Sequence, residues 1–305
     1  MRRSGLVIGV GAALLLPPTA VAAPSVQRDI SYDLDGRRPP VARLGALDLY
    51  RPSAARRGQR RGIVVYVHGG GWRRGDKNAV GAKAKLFAGA GYLFASVNYR
   101  LSPSPPRPTD AGRVRFPDHP RDLGEAVAWL HRNAKRYGGD GRRIALTGHS
   151  AGAHLVALVA TDTGYLQRYR APRSIVRGFV ALDPGAYDVG ASARIGGSRG
   201  SLFQNAFGTP AEEAADPRWA AASMLTHADA ADPPALVVTQ RRRGAQARGY
   251  AARLGGAPDA AVLALDKTHE QINVELGAPA GQASGETQAV LGFVRRVLGA
   301  AQRRR

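Results

Sequence analysis

The chain has 305 residues, 44% hydrophobic and 22% charged, a balance that excludes a disordered or low-complexity protein and suits one large domain or two small ones. Its outlier is charge: 44 Lys and Arg against 23 Asp and Glu give a formal net charge of +21, which points first to a polyanionic partner, nucleic acid or an anionic membrane surface. Only five of the cations are Lys and the rest are Arg amid abundant Ala and Gly, the mix that a GC-rich coding bias also produces, so both readings stand at this point.

In chain order, Arg2-Arg3 form a positive segment, 6–16 an apolar run, and Pro17-Pro18 a break before the small residues Ala20, Ala22 and Ala23. This is the layout of a secretory signal peptide over 1–23, cut after Ala22 or Ala23, and it predicts an exported protein, periplasmic or extracellular. A buried N-terminal helix is the alternative, but the run is short and lacks an amphipathic period. The adjacent arginines also hint at twin-arginine export. No Cys occurs, so the fold relies on its core alone, and Cys catalysis, lipobox anchoring and Cys-based zinc sites are excluded.

The polar, Arg-rich segment 31–61 reads as one or two edge strands with loops. A β-branched run at 62–67 predicts a strand that ends in a Gly cluster. A helix is expected over 79–90, a strand over 92–98, and a loop over 101–114, where Pro103, Pro105, Pro106 and Pro108 fall. An amphipathic helix follows over 118–137, then a short buried strand at 143–147 and a helix at 151–160. Further strands are expected at Val176–Leu182, 235–239 and 261–265, with helices at 245–254 and 285–300. Strands that alternate with helices, and that are apolar throughout, argue for an α/β fold: a mostly parallel sheet with helices on both faces. Residues 24–305 read as a single domain, with 185–234 a lid-like insertion that lacks strong strand signals.

Gly148-His149-Ser150-Ala151-Gly152 lies between a strand and a helix, the context that the Gly-x-Ser-x-Gly nucleophile elbow requires. The turn is tight, so the flanking positions must lack side chains, and it sets the Ser150 hydroxyl at a helix N-terminus that favours developing negative charge. His68-Gly69-Gly70-Gly71-Trp72 follows its own strand as an oxyanion-loop motif, in which a Gly triplet frees backbone N–H groups to face an oxyanion. Two such motifs in the right order make an ordinary Gly-rich turn improbable.

These residues, with Gly75-Asp76-Lys77, Ser96-Val97-Asn98-Tyr99-Arg100-Leu101, Phe116-Pro117, Asp122, Ala126, Trp129 and Thr268-His269-Glu270-Gln271-Ile272-Asn273, give the chain its resemblance to the α/β-hydrolase superfamily. It resembles the secreted carboxylesterase and formamidase-like branch, related to hormone-sensitive lipase and feruloyl-esterase-like domains. The resemblance implies Ser150 as nucleophile, the backbone N–H groups of Gly70, Gly71 and Ala151 as oxyanion donors, and His269 as general base. His269 also follows the last expected strand, where the order Ser…acid…His puts the base. His68 is expected to hold its loop, His149 and His154 to pack and anchor, and His119, His131 and His227 to occupy surface-like positions.

The superfamily's acid follows the strand at 235–239, but here Gln240-Arg241-Arg242-Arg243-Gly244 follows it, and no Asp or Glu occurs from Ala235 to Pro258. Asp183 is the choice among the substitutes, because a strand end is rigid and opens on the same edge as the elbow. A turn-forming Asp-Pro-Gly is the other reading of that residue. Asp188, Asp259 and Asp266 are the remaining candidates.

The expected reaction is hydrolysis of a short acyl or aryl ester through an acyl-serine, with no cofactor or metal. A carbohydrate-linked ester and an aryl formamide are alternatives. Trp72 either lines the substrate pocket or packs beneath the loop. A catalytically silent binding protein on the same scaffold is the competing class. Nucleic acid is not an expected partner, because Arg is scattered through the loops rather than interleaved with aromatics; electrostatic adhesion to anionic surfaces is the surviving consequence of the charge.

Overall fold

A computed structural model describes residues 23–34, 36, 42–53, 60–256 and 259–299. Its strands are β1 (Ser25–Ser31), β2 (Ala46–Arg51), β3 (Arg61–Val67), β4 (Leu93–Val97), β5 (Gly139–His149), β6 (Val176–Leu182), β7 (Ala235–Gln240) and β8 (Ala260–Leu265). They form one eight-stranded sheet in the order β1-β2-β4-β3-β5-β6-β7-β8. The pairs β1–β2 and β2–β4 are antiparallel, and the others are parallel. This is the α/β-hydrolase arrangement.

Every residue of β3 and β4 is buried, as a strand covered on both faces requires. Alternate side chains serve opposite cores: Ile63, Val65 and Val67 pack with the helices Asp118–Asn133 and Ala151–Thr161, while Val64 and Tyr66 pack with Phe87, Ile272, Phe293 and Val294 on the other face. Each fully buried Val, Leu or Phe contributes about 1.5–3 kcal/mol, so the two layers account for a fold without disulfides.

Element ends differ from expectation where local turns intervene. The first helix begins at Lys83 rather than 79, because Asp76 Oδ1 accepts from the Asn78 N–H at 3.0 Å and holds a turn ahead of it. The helix from Asp118 ends at Asn133, and a 3-10 turn, Ala134–Tyr137, is closed by left-handed Gly138. Residues 185–234 carry five short helices between β6 and β7, anchored by Phe203, Phe207, Trp219 and Met224, all buried. Residues 1–22, nearly all of the expected signal peptide, lie outside the described residues.

Several motif residues prove to be scaffold. The Asn98 side chain accepts from the Lys77 N–H at 2.6 Å and donates to Arg43 O at 2.9 Å, while Lys77 Nζ pairs with Asp29 and Asp48, each at 2.8 Å. Asp122 pairs with Arg100 at 2.6 Å and accepts its backbone N–H at 2.7 Å, fixing the chain as it leaves β4.

Candidate active site

Ser150 caps the helix Ala151–Thr161 with φ 55° and ψ −115°, a conformation that L-residues rarely adopt and that surrounding packing must hold. The packing is visible at the two flanking glycines. A Cβ on Gly148 would lie 2.4 Å from Gly152 O, and one on Gly152 would lie 2.1 Å from Val67 O. Two backbone bonds tie the elbow to the end of β6: Ser150 N–H to Leu182 O at 2.9 Å and Gly185 N–H to Ser150 O at 2.8 Å.

The loop after β3 reaches the same point, since a Cβ on Gly69 would come within 3.1 Å of Ser150 Cβ. Gly70, Gly71 and Trp72 all have positive φ (114°, 61° and 58°), which folds the loop back so that the Arg73 and Arg74 N–H groups donate to Gly70 O. Among the described residues, the N–H groups of Gly70, Gly71 and Ala151 make no hydrogen bond. His68 donates from Nδ1 to Gly69 O at 2.8 Å and stacks on Tyr99 with ring centroids 4.6 Å apart; burial lowers its pKa and favours the neutral ring. Trp72 lines the cavity and is also buried against His154, Phe203 and Phe207.

Asp183 and His269 meet. The imidazole Nδ1–H donates to Asp183 Oδ2 at 2.6 Å, which leaves Nε2 as the basic nitrogen. His269 opens the helix His269–Val274, whose N-terminus is fixed by reciprocal bonds between Thr268 and Gln271. Asp183 is fully buried at the end of β6 with φ 45°. Its Oδ1 accepts from Thr239 Oγ1 at 2.7 Å and Arg243 Nη1 at 3.2 Å, and its Oδ2 from Gln240 Nε2 at 2.6 Å. Burial alone would push this carboxyl up; the bonds from His269, Thr239 and Gln240 and the Arg243 charge outweigh it and hold the group well below the usual carboxylate range.

The Thr239–Arg243 clamp is the functional feature that sequence reasoning missed. Its available signal was a Thr-Gln pair at the end of a strand that is otherwise apolar. A second missed contact is His149 Nε2–H to His269 O at 2.9 Å, with the two rings 4.5 Å apart, so the elbow itself steadies the imidazole loop. Burial, and then the neighbouring His269, lower the His149 pKa to about 3.

The other acid candidates are elsewhere. Asp188 caps the helix Val189–Ala193, Asp266 pairs with Arg241 at the surface, and Asp259 is exposed. The surface-like placement expected of His119 is wrong: it is fully buried in the first turn of its helix, with Nε2 3.0 Å from Ser102 Oγ, and burial lowers its pKa to about 3. His154 donates to Ala222 O at 2.8 Å and so joins the elbow helix to the insertion.

Ser150 and His269 are not hydrogen-bonded to each other, but both line one cavity of about 450 Å³ and an adjoining lobe of about 430 Å³. Such bonds are commonly long before substrate binds. Leu202 and Gly71 stand at the junction of the two lobes, lining both. Among the described residues, no group of three or more His, Cys, Asp or Glu is placed to hold a metal ion.

The chain is similar in sequence and in fold to known esterases. Esterase LipQ of Mycobacterium tuberculosis is 34% identical over 133 residues, 43% of this chain and 28% of LipQ. The kynurenine formamidase-like hydrolase fscH of Fusarium equiseti is 30% identical over 156 residues, 45% of this chain and 51% of fscH. The matched stretches thus span about a quarter to a half of these relatives' own lengths. A thermophilic esterase structure from Thermogutta terrifontis superposes with a TM-score of 0.66 at 19% identity, covering 96% of this chain and 99% of that one. The BD-FAE family model matches residues 47–242, a span that holds the oxyanion loop, the elbow, Asp183 and Gln240. On that match the chain belongs to the BD-FAE family.

Proposed function

We propose that the protein is a serine hydrolase that cleaves carboxylic esters of short acyl or aryl type. The observation that carries this reading is the 2.6 Å Asp183–His269 bond beside a Ser held at positive φ, with both Ser150 and His269 lining one cavity. Ser150 Oγ attacks the ester carbonyl as His269 Nε2 takes its proton. The free N–H groups of Gly70, Gly71 and Ala151 receive the oxyanion, and the buried Asp183 carboxylate stabilises the imidazolium. His269 then protonates the departing alcohol, and water, activated by the same nitrogen, releases the acid.

Purified protein should hydrolyse 4-nitrophenyl acetate or butyrate, and Ser150→Ala should lower kcat by roughly 10⁵-fold or more at unchanged melting temperature. Turnover that survives the substitution would remove the proposal. The silent-binder alternative drew its support from the missing acid after β7, and a carboxylate 2.6 Å from His269 weakens that support. Aryl formamidase activity is the second reading, favoured by the likeness to fscH and separated by assaying an N-formyl arylamine beside the esters. We further propose that the protein is exported after removal of residues 1–23, which the intact mass of protein recovered from periplasm and medium tests.

A further inference from the structure

We propose that the larger lobe binds an anionic group, so that the natural ester carries a carboxylate on one of its two halves; this rests on the esterase reading above. Three arginines, Arg199, Arg242 and Arg243, line that lobe with Ser150 and His269, and no Asp or Glu lines it. Arg243 is committed to Asp183 and lies over the Tyr187 ring. Arg242 uses Nε for Gln240 Oε1 at 2.9 Å, which leaves its two terminal nitrogens free among the described residues. Arg199, from the helix Gly197–Phe207, makes no hydrogen bond or ion pair among the described residues.

Several arginines elsewhere are matched by carboxylates: Arg100 by Asp122, Arg113 by Glu212 and Arg241 by Asp266. The adjoining lobe differs in that its lining includes an acid, Glu270, along with Arg73 and Arg74. The lobe with Arg199 and Arg242 sets two guanidinium groups that have no carboxylate partner among the described residues beside the reacting atoms, with no acid in its lining. Guanidinium forks match carboxylates bidentately, and because Arg199 and Arg242 are exposed the pairing is weakened by salt.

The test compares 4-nitrophenyl hemisuccinate with its neutral methyl-capped ester, and 4-acetoxybenzoate with its neutral methyl ester, so that the charge sits on the acyl half in one pair and on the alcohol half in the other. The expected result is a kcat/KM ratio of about tenfold or more in favour of the anion in at least one pair, shrinking in 0.5 M NaCl and falling to about twofold or less in the Arg199→Gln/Arg242→Gln double variant. Ratios at or below one in both pairs, or a preference that the double variant keeps, would overturn the inference. A second measurement separates it from the esterase reading: succinate should raise the melting temperature of the Ser150→Ala protein above that in NaCl of equal ionic strength, and not do so once Arg199 and Arg242 are replaced. Stabilisation without turnover of any ester would leave the anion site standing and remove the esterase reading. Neither stabilisation nor anion preference would remove the site.

Discussion

The two halves of the site are built from different materials. On the side of β3 and β5, Ser150 and the loop 68–72 are held by backbone packed so closely that a single methyl group at Gly148 or Gly152 would overlap a carbonyl. On the side of β6, β7 and β8, Asp183 and His269 are held by a polar network in which Thr239, Gln240 and Arg243 all donate to one carboxylate. The first half fails by exclusion and the second by loss of a bond. Substitutions should therefore damage the fold on one side and the rate on the other.

The largest effect should come from the polar side. Asp183→Asn keeps the shape but removes the charge that faces the imidazolium, and kcat on a chromogenic ester should fall about 10⁴-fold. A fall of less than tenfold would show that Asp183 is only a turn residue. Next comes the packed side: Gly152→Ala should cost about 3 kcal/mol or prevent folding, measured by denaturant unfolding. Gly249, with nothing within 4 Å of its Cβ position, is the control, and Gly249→Ala should be neutral or stabilising by up to about 1 kcal/mol. If the two glycine variants unfold alike, the close packing at the elbow is not what holds it.

A smaller effect sharpens the contrast. Gln240→Met removes one bond to the Asp183 carboxylate without changing bulk, and kcat should fall roughly tenfold, since a bond to a charged group is worth about 1.5–3 kcal/mol. The unfolding midpoint should move far less than in Gly152→Ala. The mildest change is in pH dependence. Buried His119 and His149 have pKa values lowered to about 3, so between there and the ordinary value near 6.5 the unfolded chain binds protons that the folded chain refuses. Stability should be complete above about pH 6.5 and decline as pH falls through that window. His119→Gln should flatten the slope of melting temperature against pH, and an unchanged slope would refute the assignment.

The contrast between the two halves also explains what was legible in the sequence. The packed half uses local patterns, a strand followed by glycines at fixed offsets, so Ser150 and the loop at 68–72 could be read directly. The continuous apolar runs of β3, β6 and β7 likewise announced a parallel sheet. The polar half depends on contacts between strand ends 56 to 86 residues apart, which no local pattern encodes. Asp183 could be named there only as one choice among several, and the Thr239–Gln240 clamp not at all. His119 was misplaced for a related reason. Its face of the helix turns inward against Tyr99, a contact with another element that no local pattern encodes. The helices of 185–234 are short and held by individual aromatic anchors, so they leave no periodic trace.

The closeness of Gln240 to Asp183 widens the choice of where the acid can stand. The β7 end, where the superfamily keeps its acid, and the β6 end, where this chain has a carboxylate, present their side chains to one patch beside the imidazole, 2.6 Å apart at Gln240 Nε2 and Asp183 Oδ2. A carboxylate introduced at position 240 would therefore stand beside Asp183 at the same imidazole, and Asp183 could then be replaced in a second step. Arg243, already 3.2 Å from Asp183, offers the countercharge that the doubly acidic stage would need. Gln240→Asp followed by Asp183→Asn tests this, and activity retained at both steps would show that either strand end can supply the acid.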